Sequence, residues 1–270
     1  METTPELRRE QRFYDHHWVD ARMTPKEALR IETTLAAIPA DCGAVLDVGA
    51  GDGRMCHAVA ERLGLPTVAI DLSLAGLARI RLPRCCGSAT RLPFADRSFD
   101  LVMTTEMLEH IPGPWYAAVL RELARTAGRY LLISVPNREN LREHTMCCQA
   151  CGARFHAWGH QRSYSPAGLR HLFPGFTVRQ LASVGEAEAN YNRLLVWLRQ
   201  EAAGGWHWEP QAQCGRCQAA MDGRPRRPRL ARLLDGVNAR LWAPVSRRPN
   251  WLLALYERDG AAAAGLAQGR

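Results

Sequence analysis

Residues able to do chemistry cluster in three stretches of this chain. The first is Val45-Leu46-Asp47-Val48-Gly49-Ala50-Gly51-Asp52-Gly53-Arg54, an apolar run broken by three alternating glycines. Glycine reaches positive φ cheaply and lets a ligand approach backbone that a Cβ would cover. A helix opening just after such a turn offers its unpaired N–H groups to a ligand. Dinucleotide, phosphate and adenosyl sites share this device with ordinary tight turns. The second stretch holds Glu106, Glu109 and His110, which could bind a cation, move a proton, or only brace the turn into Pro112. The third is a pair of knuckles, Cys148-Gln149-Ala150-Cys151-Gly152 and Cys214-Gly215-Arg216-Cys217.

The elements that would position these groups alternate along the chain. Thr24 ahead of Pro25 caps a helix with Leu29, Leu35 and Ile38 on its apolar face. Strands are expected at 44–48, 67–71, near 85–87, 99–104 and 129–135, with helices at 54–63, 73–80 and 115–126. Further strands follow at 176–181 and 251–256. Strands alternating with helices build a parallel sheet, and ligands of such sheets sit beyond the carboxyl ends of the strands. Asp71 ends the second strand about 20 residues after the glycines, where an acid can bind a ribose hydroxyl pair. With Leu72-Ser73 behind it, Asp71 could equally serve as a helix cap.

Taken in order, the glycine turn, Asp71, Gly87-Ser88-Ala89-Thr90, Leu92-Pro93-Phe94, Phe99-Asp100-Leu101-Val102 and Leu108-Glu109-His110 resemble the class I S-adenosylmethionine (SAM)-dependent methyltransferases, especially their small-molecule branch. The resemblance runs over roughly residues 10–184 and includes the last strand. It implies an α/β fold: a Rossmann-like seven-stranded sheet with helices on both faces, its last strand inserted antiparallel. Cysteine-knuckle insertions would follow strands five and six. It also implies a cofactor site of Asp47, Gly49, Ala50, Gly51, Asp71, Leu72, Ser88, Ala89 and Thr105. Asp47 would place the glycine turn or the methionine amino group, Asp71 the ribose, and Leu72 and Ser88-Ala89 the adenine. The family commonly has an acid just before the position of Ala89, and this chain has serine. Thr104-Thr105-Glu106-Met107 stands where an Asn-Pro-Pro-Tyr motif would be, which disfavours methylation of nucleobase or amide nitrogens by that type of site. Quinone-pathway O-methyltransferases use a similar Glu-x-x-Glu-His to hold a divalent cation. His110 is the first candidate for a general base. The N-terminal segment, with His16 and His17, would fold over cofactor and substrate in the family, or be a surface helix packed on the core.

Two Cys-x-x-Cys pairs can complete a closed Cys₄ site, so Cys148, Cys151, Cys214 and Cys217 are expected to hold structural Zn²⁺. A clip of this kind would pin two loops beside the mouth of the active site. Cys147, His156 and His160 are neighbours that could replace a cysteine, and His160 could instead order its loop or touch substrate. The alternative is two unrelated turns with free thiols.

The expected organisation is a helical cap at 1–40, a core at 41–184 with an insertion at 140–165, and a second insertion at 185–248. A final strand at 249–258 and a disordered tail at 259–270 complete it. The 270 residues carry a net charge of +8, almost all of it arginine. Eight arginines fall between Arg224 and Arg248. Solvated surface is the plain reading, with an anionic substrate or peripheral membrane contact as the lesser one. No basic–aromatic interleaving supports nucleic acid. No apolar run is long enough to span a membrane, and a cytoplasmic location is expected. The function expected is methyl transfer to a small-molecule or lipid-linked acceptor. RNA or protein methylation, or SAM binding without turnover, are the alternatives.

Overall fold

The computed structural model describes residues 23–210, 212–221, 223 and 227–260. His16 and His17, most of the expected N-terminal cap and the last ten residues lie outside them.

Helix α1 (Pro25–Ala37) starts as its sequence dictates. Glu27 N–H donates to the Thr24 hydroxyl while the Glu27 carboxylate accepts the Thr24 N–H at 2.8 Å, a reciprocal capping box. Ile31 and Leu35 bury its inner face. The core then runs β1 (Val45–Val48), α2 (Arg54–Leu63), β2 (Thr67–Asp71), α3 (Leu74–Leu77), β3 (Arg84–Cys86) and β4 (Phe99–Thr105). A 3₁₀ turn at Leu108–His110 leads into α4 (Gly113–Thr126) and β5 (Ala127–Pro136). After the hairpin β6 (Thr145–Cys147) and β7 (Arg154–His156) come α5 (Pro166–Leu169), β8 (Phe176–Glu188), α6 (Arg193–Glu201), α7 (Arg229–Val237) and β9 (Arg248–Arg258).

Seven strands form one sheet in the order β3-β2-β1-β4-β5-β9-β8. β1 lies parallel to β2 with Val45 opposite Thr67, and parallel to β4 with Val45 opposite Leu101. β9 runs against its neighbours: Arg258 at its end donates to the Gly128 carbonyl near the start of β5. The Asp259 N–H likewise reaches the carbonyl of Gly175, just before β8.

Successive strand residues face opposite sides. Val45, Leu101, Met103, Leu132, Leu253 and Leu255 pack with Ile31, Leu35, Met55 and Val59 of α1 and α2. The alternate residues Leu46, Val102, Leu131, Ile133 and Leu252 are equally buried, so helices cover both faces. One expectation needs correcting. The helix read over 73–80 is the single turn α3, with Gly76 inside it; glycine is a weak helix former and Pro83 follows closely.

Two compact units result. The first comprises residues 1–135, 165–185 and 251–270, and the second residues 136–164 and 186–250. The second leaves the sheet at the carboxyl ends of β5 and β8 and returns at the amino end of β9. Its small core is Met146, Ala157, Ala212 and Met221 with Phe155 and Trp208 against them. Among the described residues no helix is long and apolar enough to cross a membrane.

Candidate functional site

In the first unit the glycine turn is pinned from behind. The N–H groups of Gly49 and Ala50 both donate to the Ile70 carbonyl, at 2.8 and 3.2 Å. Gly49, Gly51 and Gly53 have φ of 76°, 55° and 86°. A Cβ on Gly49 would come within 2.5 Å of Met107, so neither backbone nor space admits another residue there. Arg54 ties the turn to α1 through Asp52 at 2.9 Å and Glu27 at 3.1 Å.

Asp71 accepts two backbone N–H groups, from Gly51 on Oδ2 at 2.8 Å and from Ser73 on Oδ1 at 2.7 Å. Its carboxylate therefore braces the turn. Leu72 follows it, half-buried. Ser88 and Ala89 lie in the loop after β3, half-buried, with the Ser88 hydroxyl 2.8 Å from that of Thr90. Thr105 is the last residue of β4.

Asp47 is 1 % exposed, and neither carboxylate oxygen has a hydrogen-bond partner among the described residues. Burial, then repulsion from Asp71, pushes its pKa up to about 7, against the pull of Arg30. Arg30 itself has a buried Nε and Nη1 without partners among the described residues, and its guanidinium stacks 5.5 Å from the Trp251 ring centre. Trp251 Nε1–H in turn donates to Glu106 at 2.7 Å. Glu106 is held at a φ of 55°, a conformation that costs a non-glycine residue energy. Arg30 and Trp251 were not among the residues singled out from sequence. A lone arginine on a helix and a tryptophan in a late strand carry no spacing signal.

Glu109 and His110 can offer ligand atoms within 4.8 Å of each other, and Glu106 does not join them. Glu106 turns to Trp251, Glu109 is buried, and His110 closes the 3₁₀ turn with its N–H on the Met107 carbonyl at 3.0 Å.

In the second unit the four sulfurs of Cys148, Cys151, Cys214 and Cys217 lie within 4.8 Å of one another. The two knuckles repeat one geometry. Cys148 N–H bonds the carbonyl of Ala153 and accepts the Gly152 N–H on its own carbonyl; Cys214 does the same with Ala219 and Gln218. The fifth residue of each knuckle takes positive φ, 70° at Gly152 and 62° at Gln218. His156 and His160 do not join this cluster but meet Glu139.

The fold and the glycine turn are similar to those of class I SAM-dependent methyltransferases. Residues 46–129 match the family model described as a methyltransferase domain. The demethylmenaquinone methyltransferase of a Roseiflexus species is 36% identical over 107 residues, covering 36% of this chain and 44% of that protein. The ubiquinone biosynthesis O-methyltransferase of Hahella chejuensis is 35% identical over 142 residues, 46% of this chain and 58% of that one. The chain thus spans about half the length of these curated relatives. Among solved structures, the Burkholderia thailandensis 1,6-didemethyltoxoflavin-N1-methyltransferase superposes with a TM-score of 0.53 at 15% identity, over 94% of this chain and 88% of that one. At that identity the likeness speaks for the fold.

Proposed function

We propose that this chain uses SAM to methylate a small-molecule or lipid-linked acceptor, with a structural zinc ion on Cys148, Cys151, Cys214 and Cys217. The observation that carries the cofactor reading is the nearness of buried Asp47, whose carboxylate oxygens have no hydrogen-bond partner among the described residues, to half-buried Arg30, whose Nε and Nη1 likewise have none there. These polar atoms suit the ammonium and carboxylate of an amino-acid group, which would supply the hydrogen bonds they lack.

In this reading Asp47 takes the ammonium and Arg30 the carboxylate. Gly49, Ala50 and Gly51 border the same end, where no side chain intrudes. Asp71 accepts the ribose hydroxyls, while Leu72, Ser88 and Ala89 border the adenine and Thr105 closes the floor. SAM supplies a methyl group on a positively charged sulfur. The protein's task is then to hold the acceptor in line and keep water out. The names of the curated relatives support a small-molecule acceptor.

Zinc is supported by sulfur spacing. Cys148 and Cys217 lie 3.6 Å apart and Cys151 and Cys214 3.7 Å apart. Thiolates about 2.3 Å from one ion at tetrahedral angles stand roughly 3.8 Å apart, whereas a disulfide would bring them to about 2.05 Å.

The test is calorimetric titration of SAM into the purified chain, with zinc measured on the same sample. Saturable binding that Asp47→Ala abolishes supports the reading. A folded, zinc-loaded sample that takes up no SAM overturns it.

A further inference from the structure

The second unit presents the apolar face of one helix to solvent. Through α7 (Arg229–Val237) the residues Leu230, Leu233, Leu234 and Val237 recur three and four residues apart, which puts them on one face. The helix continues through a π turn, Asn238–Trp242, and a 3₁₀ turn, Ala243–Val245. Leu230 is 46% exposed, Leu233 64%, Leu241 73% and Val245 76%, and Trp242 is exposed as well.

The inward face of the same helix is small and polar, and specific contacts hold it there. Ala231 is buried so close to Gly205 that a Cβ on that glycine would lie 2.5 Å from it. Asp235 accepts the Tyr191 hydroxyl at 2.7 Å and pairs with Arg199 at 3.4 Å and Arg227 at 3.0 Å. The buried Asn238 side chain accepts the Asn192 N–H at 2.9 Å. Rolling the leucines inward would break these bonds, so the orientation is fixed. An outward apolar face of this extent marks a surface that meets something other than water.

The charge on this stretch says what that is. Arg229, Arg232 and Arg240 are all exposed. Asp235 is the only acid in the sequence between residues 223 and 256, and its carboxylate is engaged in the inward contacts. The outer side therefore combines positive charge with apolar surface. A bilayer with anionic headgroups complements both, phosphate for guanidinium and acyl chain for leucine. Arginine can grip phosphate oxygens through two parallel hydrogen bonds. Nucleic acid would leave the leucines in water, and a second copy meeting this face would bring like charges together.

We propose that the 229–245 face is a docking surface for an anionic lipid bilayer. The helix lies along the headgroup plane, with Leu230, Leu233, Leu241 and Val245 among the acyl chains and Arg229, Arg232 and Arg240 at the phosphates. Trp242, apolar with one N–H, suits the boundary between the two. Docking does not depend on methyl transfer. Only its consequence, that a lipid-linked acceptor is met at the bilayer surface, rests on the function proposed above.

The test is co-sedimentation of the full zinc-loaded chain with vesicles of equal parts phosphatidylcholine and phosphatidylglycerol. Saturable binding is expected, about tenfold weaker or more on phosphatidylcholine alone and weakened by added salt. The paired substitutions Leu233→Ser with Leu241→Ser, and Arg232→Gln with Arg240→Gln, should each lower affinity by about tenfold or more. All four side chains are exposed, so melting should stay at the wild-type value. Leu63→Ser, at an exposed leucine of the first unit, should bind as wild type does. Absence of binding, equal binding to both vesicle types, or undiminished binding by the leucine pair overturns the proposal. A dimer that the leucine substitutions disperse, in a chain that ignores vesicles, would assign the face to a second copy and overturns it too. Should the leucine pair melt early, Val245→Asp, beyond α7, takes its place with the same loss expected. SAM titration on the same samples reports on the core alone, so failure of the methyltransferase reading appears separately.

Discussion

The Gly51 N–H donates to Oδ2 of Asp71 at 2.8 Å, across twenty residues of chain. A carboxylate at the end of β2 thus fixes the backbone of the turn after β1, and Oδ1 fixes the Ser73 N–H at the start of α3. Removing it strands two backbone donors as well as any ribose contact. Asp71→Asn presents an amide that can accept on one side only. We expect it to lower stability by about 1–3 kcal/mol and SAM affinity at least tenfold. Thermal unfolding and calorimetry on one sample check this. Unchanged melting would show that the turn stands without the carboxylate.

Asp47 makes opposite demands on stability and binding. Its folded pKa of about 7 lies above that of a free carboxyl, so between the two values the folded chain binds the proton more tightly than the unfolded chain. Stability contributed by this group is therefore full at low pH and declines as pH rises through about 7. Asp47→Asn removes the penalty. It should be the more stable protein at pH 8, by at most about 4 kcal/mol, with the two curves meeting near pH 4. A melting series across that range is the measurement, and parallel curves would refute the assignment.

SAM affinity should move the other way. If the ionised form of Asp47 holds the ammonium, binding below pH 7 must first expel a proton. The dissociation constant should then rise about tenfold per unit as pH falls below 7. A flat calorimetric profile between pH 5 and 8 would place the ammonium elsewhere.

These contrasts show what the sequence could and could not reveal. The strand, glycine turn and helix at 45–63 were legible because the apolar run and the glycine spacing agree within twenty residues. The order of the sheet was legible only through family resemblance, since nothing in Trp251 to Tyr256 says that the strand slips between β5 and β8. The double duty of Asp71 was hidden because its partner is a backbone N–H, which no residue type announces. The Trp251–Glu106 bond spans 145 residues, and Arg30 joins it by packing alone. Glu106, Glu109 and His110 read as a cluster because they are neighbours in sequence, yet only Glu109 and His110 stay together, while Glu106 turns to Trp251.

The cysteine knuckles offer the last test. Their matched hydrogen bonds place Gly152 and Gln218 in the same left-handed conformation, and only glycine adopts it freely. Gln218→Gly should therefore strengthen the second knuckle by about 1 kcal/mol, while Gly152→Ala should weaken the first by a similar amount. Both effects should appear as changes in resistance to zinc removal by a chelator, with about one ion released per chain. Cobalt substitution gives an independent reading, because four thiolates around the ion produce a thiolate-to-metal absorption that Cys214→Ser would diminish. Chelation should expose 136–164 and 186–250 to protease first, since this unit's apolar core is only a few side chains and metal binding must supply much of its folding energy. Equal protection of that unit with and without metal would mean that the four thiols pack together without an ion.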